Sequence, residues 1–244
     1  MTLTESPSLP DPAPGTHPNL RPADAATLIL VDRSQRTPRL LLGRRNARQA
    51  FMPGMFVFPG GRVEAQDRQM PVFGMLDEVT ERRLNARVAR PSASRPRALA
   101  LAAIRETCEE TGLLLGTTDA GAPESTAAGW AAFVEAGVYP DLEALTFVAR
   151  AVTPPRHSRR FDTRFFMAEA SNIAHRLEGV VGPDSEFVDV QWMTFAQARK
   201  AEVPAITLAV IEEIETRLER GNKPWLPVPY FFSRNGRFHR ETLD

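Results

Sequence analysis

Cysteine is nearly missing from this chain: Cys108 is the only one in 244 residues, which excludes an internal disulfide and a cysteine-rich zinc site. A lone thiol on a helix face is expected to be a small core residue rather than a nucleophile. Long apolar runs are missing too. No stretch reaches the roughly eighteen residues a membrane helix needs, and the first residues carry neither a basic n-region nor an apolar h-region. A soluble protein of the reducing cytoplasm is therefore expected, with no membrane partner. Net charge is the third absence, because 30 basic side chains cancel 30 acidic ones. No global field then recruits nucleic acid or an anionic surface, and a small molecule must be caught locally. Fixed-period repeats are absent as well.

What remains is ordinary globular composition, 43% hydrophobic and 25% charged, enough for one substantial core. Residues 1–21 hold Pro7, Pro10, Pro12, Pro14 and Pro18 among small polar residues, and this stretch reads as a flexible tail. Residues 22–244 read as a single domain. Ala26 to Val31 and Arg39 to Arg44 have strand patterns joined by a turn, and Leu145 to Val152, Arg160 to Ala168 and Phe187 to Met193 supply three more. Trp130 to Ala136 reads as a short helix. Ala205 to Arg220 reads as a longer one with Leu208, Ile211, Ile214 and Leu218 on its apolar stripe. Strands mixed with flanking helices predict the α/β class, an α/β/α sandwich around a mixed sheet. Residues 222–244 read as a carboxy-terminal strap in which Trp225, Tyr230 and Phe231 cover core.

The most informative run is Arg105-Glu106-Thr107-Cys108-Glu109-Glu110-Thr111-Gly112-Leu113. Leu101, Ile104, Cys108 and Thr111 recur at helical spacing from Ala98 onward, and Gly112 is a natural helix stop. Glu106, Glu109 and Glu110 then project from roughly the opposite face, away from the core. They crowd the negative end of the helix dipole. Two carboxylates about 5 Å apart repel by roughly 3 kcal/mol at an effective dielectric near 20. A hard divalent cation, Mg2+ or Mn2+, would remove that conflict while keeping waters free for phosphate oxygens. Arg105, four residues before Glu109, can fix that carboxylate by charge-assisted hydrogen bonding. Taken alone, such a run also fits a solvated acidic face.

Upstream stands Phe58-Pro59-Gly60-Gly61-Arg62-Val63-Glu64-Ala65-Gln66-Asp67. Together the two segments resemble the Nudix box, G-x5-E-x7-R-E-U-x-E-E-x-G-U, with U a bulky aliphatic residue. Gly61 stands at the first glycine, Asp67 replaces the usual Glu, and Thr107 sits at the first U. Between Asp67 and Arg105 lie 37 residues where the pattern has seven, so an insertion of 30, residues 68–97, interrupts the box. Loop-closure entropy grows slowly enough to tolerate it. Phe73, Met75, Leu76 and Leu84 give it the content of a helical flap, and residues 90–97, with Pro91 and Pro96, read as a returning linker.

The resemblance implies the Nudix fold, itself such a sandwich, and metal-assisted hydrolysis of a nucleoside diphosphate linked to another moiety. It implies metal ligands at Glu106, Glu109, Glu110 and the Gly60 carbonyl, and catalytic candidates at Glu109, Arg105 and Glu186. Glu109 or Glu186 would position the attacking water, Glu186 standing six residues before Trp192 where many Nudix hydrolases carry a further glutamate. An ordinary loop acid is the alternative for Glu186, with Glu169 and Asp184 in reserve. Gly61 and Phe58 are expected at the substrate because the glycine turn lets backbone approach the pyrophosphate.

Leu41-Leu42-Gly43-Arg44-Arg45, then Gly54 and Phe58-Pro59-Gly60-Gly61, resemble the coenzyme A diphosphatase extension L-L-T-x-R-[SA]-x3-R-x3-G-x3-F-P-G-G. Arg45 takes the first arginine, while Gly43 replaces Thr, Asn46 replaces Ser or Ala, and Ala50 replaces the second arginine. Thr153 to Phe166 is similar to a T-P…R-F-D-T-x-F-F segment of that insertion-bearing branch, and its arginines, Arg160 among them, could bind several phosphates. Met52, Met55, Met70 and Met75 either line an acyl-chain pocket or belong to the core. Gly129 stands where ADP-ribose pyrophosphatases carry a proline. Coenzyme A or acyl-coenzyme A is thus the expected substrate, against a nucleotide sugar or other nucleotide, or a domain that only senses a nucleotide. The expected partner is a small-molecule nucleotide, and a homodimer is left open.

Overall fold

The computed structural model describes residues 9–11, 15–49 and 51–244. Its elements in chain order are β1 (Ala23–Asp32), β2 (Arg39–Arg45), β3 (Phe56–Val57), β4 (Gly60–Arg62), α1 (Glu78–Asn85), α2 (Ser94–Thr111) and β5 (Leu113–Leu115). There follow α3 (Ala131–Glu135), β6 (Thr146–Val152), β7 (Phe161–Glu169), β8 (Ile173–Arg176), β9 (Phe187–Thr194), α4 (Phe195–Lys200), α5 (Ala205–Glu219), β10 (Val228–Arg234) and β11 (Arg237–Leu243).

Nine strands form one mixed sheet in the order β11-β10-β6-β7-β1-β2-β3, with β4 paired to β1 and β9 to β2. The centre is parallel, β1 against β7 from Ala23↔Phe161 to Val31↔Glu169, and β2 runs antiparallel to β9. Strand β1 reads as an almost unbroken apolar run because both of its faces are covered. Ala26, Leu28 and Leu30 enter one core with α2, while Ile29 and Val31 enter a second core with α4 and α5. Helices on both faces of a mixed sheet are the expected α/β/α sandwich. No helix among the described residues is long and apolar enough to cross a membrane.

Several expectations need correction. Helix α2 begins at Ser94, one turn before Ala98, and Pro96 is accommodated because first-turn N–H groups have no intrahelical acceptor. The stripe of α5 is rotated: Thr207, Val210, Ile211, Ile214 and Arg217 are its buried side, and Leu208 and Leu218 are only half-buried. The C-terminal strap is a hairpin that enlarges the sheet. Val228, Phe231 and Leu243 are buried, β10 pairs parallel to β6, and Trp225 is 72% exposed instead of covering core.

The insertion does form a helix, α1, capped by the Asp77 carboxylate accepting from Thr80 N at 2.9 Å. It is docked, not loose. Met70, Leu76 and Leu84 join the α2 core, Arg150 donates to Ala86 O at 2.7 Å, and Arg83 donates to Pro224 O at 3.0 Å. The tail expected over residues 1–21 lies partly outside the described residues. Its described portion is also held: Leu9 packs on the second core, His17 N donates to Arg156 O at 3.1 Å, and Phe238 N donates to Asp11 Oδ1 at 3.1 Å.

Candidate active site

Helix α2 presents its carboxylates toward the sheet end where β4 pairs with β1, Gly60 opposite Thr27 and Gly61 opposite Ala26. Gly112, in the left-handed conformation at φ 74°, ends the helix just after them. The acids do lie off the Leu101–Ile104–Cys108–Thr111 face, but only Glu109 stays open to water, its side chain 42% exposed. Strand β4 and the Asp67 turn cover the other two: Glu110 is 5% exposed and the Glu106 side chain 15%. A helical wheel gives direction without saying what lies there.

Arg105 organises this layer from within, its side chain 1% exposed. Its Nε donates to Asp67 Oδ1 at 2.7 Å and Nη2 to Asp67 Oδ2 at 3.2 Å. Nη2 also donates to Arg62 O at 3.0 Å, and Nη1 to Glu109 Oε2 at 3.0 Å. Nη1 lies 2.9 Å from Glu106 Oε1. Burial works against the guanidinium charge, but Asp67, Glu106 and Glu109 outweigh it and raise its pKa above the ordinary arginine value. Every one of these contacts is internal to the protein. Asp67, fully buried, also caps its own turn by accepting from Glu64 N at 2.7 Å. The Arg105 stem leaves no room for a side chain at Gly129, whose added Cβ would fall 2.9 Å from Arg105 Cδ.

The glycine turn fits around the acids. A Cβ at Gly61 would lie 2.4 Å from the Glu106 carboxyl carbon, and one at Gly60 would lie 2.5 Å from Ala26 O. Gly60 N donates to Glu110 Oε2 at 2.8 Å. Burial, then the charges of Glu109 and Asp67, push Glu106 up to about 7 against the pull of Arg105. Burial, then Glu186 and Glu106, push Glu110 well above the carboxylate range despite the Gly60 amide and Arg45. Burial also raises Glu109.

This is an oxygen-only donor set carrying more negative charge than Arg105 and Arg45 comfortably hold, the chemistry that suits a hard divalent cation. Among the described residues no three acids converge as a finished ligand set. Glu106 and Glu109 are turned toward Arg105 and Glu110 toward the Gly60 amide, so binding such a cation requires side-chain rotation. The adjoining Cys108 thiol is buried, and its pKa is pushed up to about 12 by that burial and by Glu109, which keeps it a neutral core group.

At the rim, Arg45 Nη2 meets Glu186 Oε1 at 2.9 Å, and Arg45 Nε donates to Phe51 O at 2.9 Å. The charges of Glu186 and Arg45 are both felt at Glu110. Phe58 is not at the substrate face: it is 5% exposed and packs in the second core with Ile29, Leu40 and Leu42. Arg160 is spent on the N-terminal segment, donating to Asn19 Oδ1 at 2.9 Å and Leu20 O at 2.5 Å. Arg164, in the same arginine-rich stretch, is fully buried between Asp24 and Asp162. The four methionines share no pocket, since Met70 is fully buried and Met75 is 78% exposed. Sequence reading missed the network of Asp24, Arg95, Arg150, Asp162 and Arg164, whose members come from three strands and a helix.

The family model for the NUDT19 Nudix domain matches residues 23–203. The chain belongs to the Nudix family. A Nudix hydrolase from Alicyclobacillus acidocaldarius is similar at 27% identity and a TM-score of 0.56, covering 79% of this chain and 90% of that one. The Nudix domain of Shewanella oneidensis NrtR, solved with ADP ribose, is similar at 15% identity and TM-score 0.46 over 82% of this chain and 90% of that one. A Caenorhabditis elegans Ap4A hydrolase is similar at 13% identity and TM-score 0.41 over 81% and 99%. The last two likenesses do not bear on substrate. The chain is thus a Nudix hydrolase, and its general chemistry is cleavage of a pyrophosphate linkage in a small molecule; Nudix hydrolases generally use divalent metals.

Proposed function

We propose that this Nudix domain hydrolyses the pyrophosphate bond of a nucleoside diphosphate linked to another moiety, with coenzyme A or an acyl-coenzyme A as the substrate class, in the cytoplasm. The observation that carries the reading is the layer in which the buried Arg105 and the Gly60–Gly61 turn hold Glu106, Glu109 and Glu110 together. Those three carboxylates and the Gly60 carbonyl would hold Mg2+ or Mn2+. A bound cation would supply charge neutralisation of the pyrophosphate oxygens.

The chain's own groups would do the rest. Arg105, neutralised by Asp67, keeps Glu109 at a fixed angle, and Glu109 is the most exposed of the three acids, able to orient a water and take its proton. Glu186 is the second candidate for that proton. Arg45, at the rim, is the substrate-facing cation, for which an incoming phosphate would compete with Glu186. Arg160 would serve a phosphate only after releasing Asn19 and Leu20. Coenzyme A rests on the register of Arg45 with Gly54 and the Phe58–Gly61 turn and on the Thr153–Phe166 segment.

The test is incubation of the full chain with Mg2+ or Mn2+ and coenzyme A, an acyl-coenzyme A, NADH, ADP-ribose or UDP-glucose, with products resolved by chromatography. Cleavage of coenzyme A compounds at a kcat/KM at least about tenfold above the others is expected. Preferential cleavage of UDP-glucose or ADP-ribose would replace the substrate assignment, and tight binding without turnover would replace hydrolysis by sensing.

A further inference from the structure

Two residues that depart from the coenzyme A-type pattern, Gly43 and Asn46, lie on the same strand end and face the same segment, residues 183–187. Asn46 is 8% exposed and uses its whole side chain. Its Nδ2 donates to Pro183 O at 2.9 Å and Ser185 O at 3.2 Å, while its Oδ1 accepts from Arg48 N at 3.1 Å. Its backbone N donates to Glu186 O at 2.9 Å. Serine or alanine in its place could not supply two donors to that loop.

Gly43 supports the same segment from the core side. A Cβ there would fall 2.1 Å from the ring of Phe187, which is fully buried, so only glycine lets the ring lie flat on β2. Phe187 follows Glu186 directly. Between these two supports the β2–β9 register shifts at Arg44 and Arg45, a bulge that re-aims the side chains beside it. Glu186 and Arg45 emerge there, joined at 2.9 Å.

We propose that Gly43 and Asn46 are positioning residues that mount Glu186 at the mouth of the carboxylate layer, the glycine by seating Phe187 and the asparagine by tying down residues 183–186. The proposal rests on the reading that Glu186 takes part in hydrolysis. It makes the two departures one adaptation: a larger residue removed under the ring, and a two-donor residue placed under the loop. Glu186 is then held by its backbone as well as by Arg45, so it stays beside Glu110 when substrate draws Arg45 away.

The test is a double-mutant cycle with the panel compound that the wild-type chain hydrolyses fastest, using Asn46→Ala and Asn46→Ser in wild-type and Glu186→Gln backgrounds. Displacement of a reacting group by about 1 Å is worth roughly 10²-fold, so Asn46→Ala should lower kcat by about that factor with KM changed less than about threefold. In the Glu186→Gln background it should cost less than about twofold more. Hydrogen exchange supplies a readout free of turnover: amides of residues 182–187 should lose protection in Asn46→Ser while α5 keeps its own. Undiminished, multiplicative losses in the double variant would overturn the proposal, as would unchanged exchange at 182–187. A Glu186→Gln variant with wild-type kcat would overturn the role of Glu186 and the mount with it, whereas a wild-type chain that cleaves no compound would refute the hydrolase reading separately, leaving exchange to decide the mount.

Discussion

Replacing Asp67 by alanine should be among the most damaging single changes in this chain, although Asp67 touches neither substrate nor metal in the proposed site. Its carboxylate is fully buried and carries two hydrogen bonds from Arg105, at 2.7 and 3.2 Å, and one from Glu64 N at 2.7 Å. Removing one partner of a buried ion pair costs about 3–5 kcal/mol, because the other charge stays behind uncompensated. Arg105 would keep Glu106, Glu109 and Arg62 O, so the lower end applies, about 3 kcal/mol. For a domain of this size about 1 kcal/mol corresponds to roughly 2–4 °C in Tm, so a fall of about 6–12 °C is expected. Arg48→Ala is the control, since its pair with Asp184 leaves both side chains more than four-fifths exposed, at 82% and 87%. That variant should stay within about 0.5 kcal/mol of wild type. Thermal melts of both at pH 7 without added metal decide the matter. A drop below about 2 °C for Asp67→Ala, or one no larger than for Arg48→Ala, would refute the idea that a desolvated pair holds this layer together.

Gly61→Ala should leave the Tm within about 2 °C, because the added methyl meets the far end of the Glu106 side chain rather than backbone, while turnover falls as that carboxylate is displaced; a normal kcat would mean that Glu106 is not needed where it stands. Glu109→Gln should fold normally and lose about 10²–10⁴-fold in kcat, and a variant within tenfold of wild type in steady-state assays would remove Glu109 as base. Acid stability should depend on Asp162. Burial alone would raise its pKa from the ordinary value of 3.8, but hydrogen bonds from Arg150 and the charges of Arg164 and Arg150 hold it lower. Its contribution is therefore complete above pH 4 or so and is lost as pH falls through the lower folded value. Urea midpoints of Asp162→Asn should accordingly vary less with pH than those of wild type as pH falls below the ordinary carboxylate value; curves of equal steepness would contradict this.

Long, strongly patterned elements were legible from sequence: β1, β2, β6, β7, β9, α2 and α5 all lie within a few residues of their expected spans. Strands β3 and β4, of two and three residues, are too short for any period to register. The hairpin of β10 and β11 could have been found, because Asn235-Gly236 sits between its strands and both residues take positive φ, 53° and 75°. At the site, the identities of Arg105 and the three glutamates were readable as a local run. The covering of Arg105, Glu106 and Glu110 was not, since it comes from β4 and the Asp67 turn more than thirty residues upstream. Phe58 misled for the opposite reason: its neighbours Gly60 and Gly61 do line the acids, but its own ring packs into the second core with Ile29, Leu40 and Leu42. The arginines of residues 153–166 looked free for phosphate, yet Arg164 is buried between Asp162, two residues before it, and Asp24, 140 residues away.

The sequestered sulfur of Cys108 also has a practical use. With the chain's one thiol neutral and shielded by packing, a maleimide dye or spin label would leave the native protein unmodified. A cysteine placed on the loop between Arg45 and Phe56 would then be the sole attachment point, and the approach of that loop to its surroundings during turnover could be followed without first editing the core.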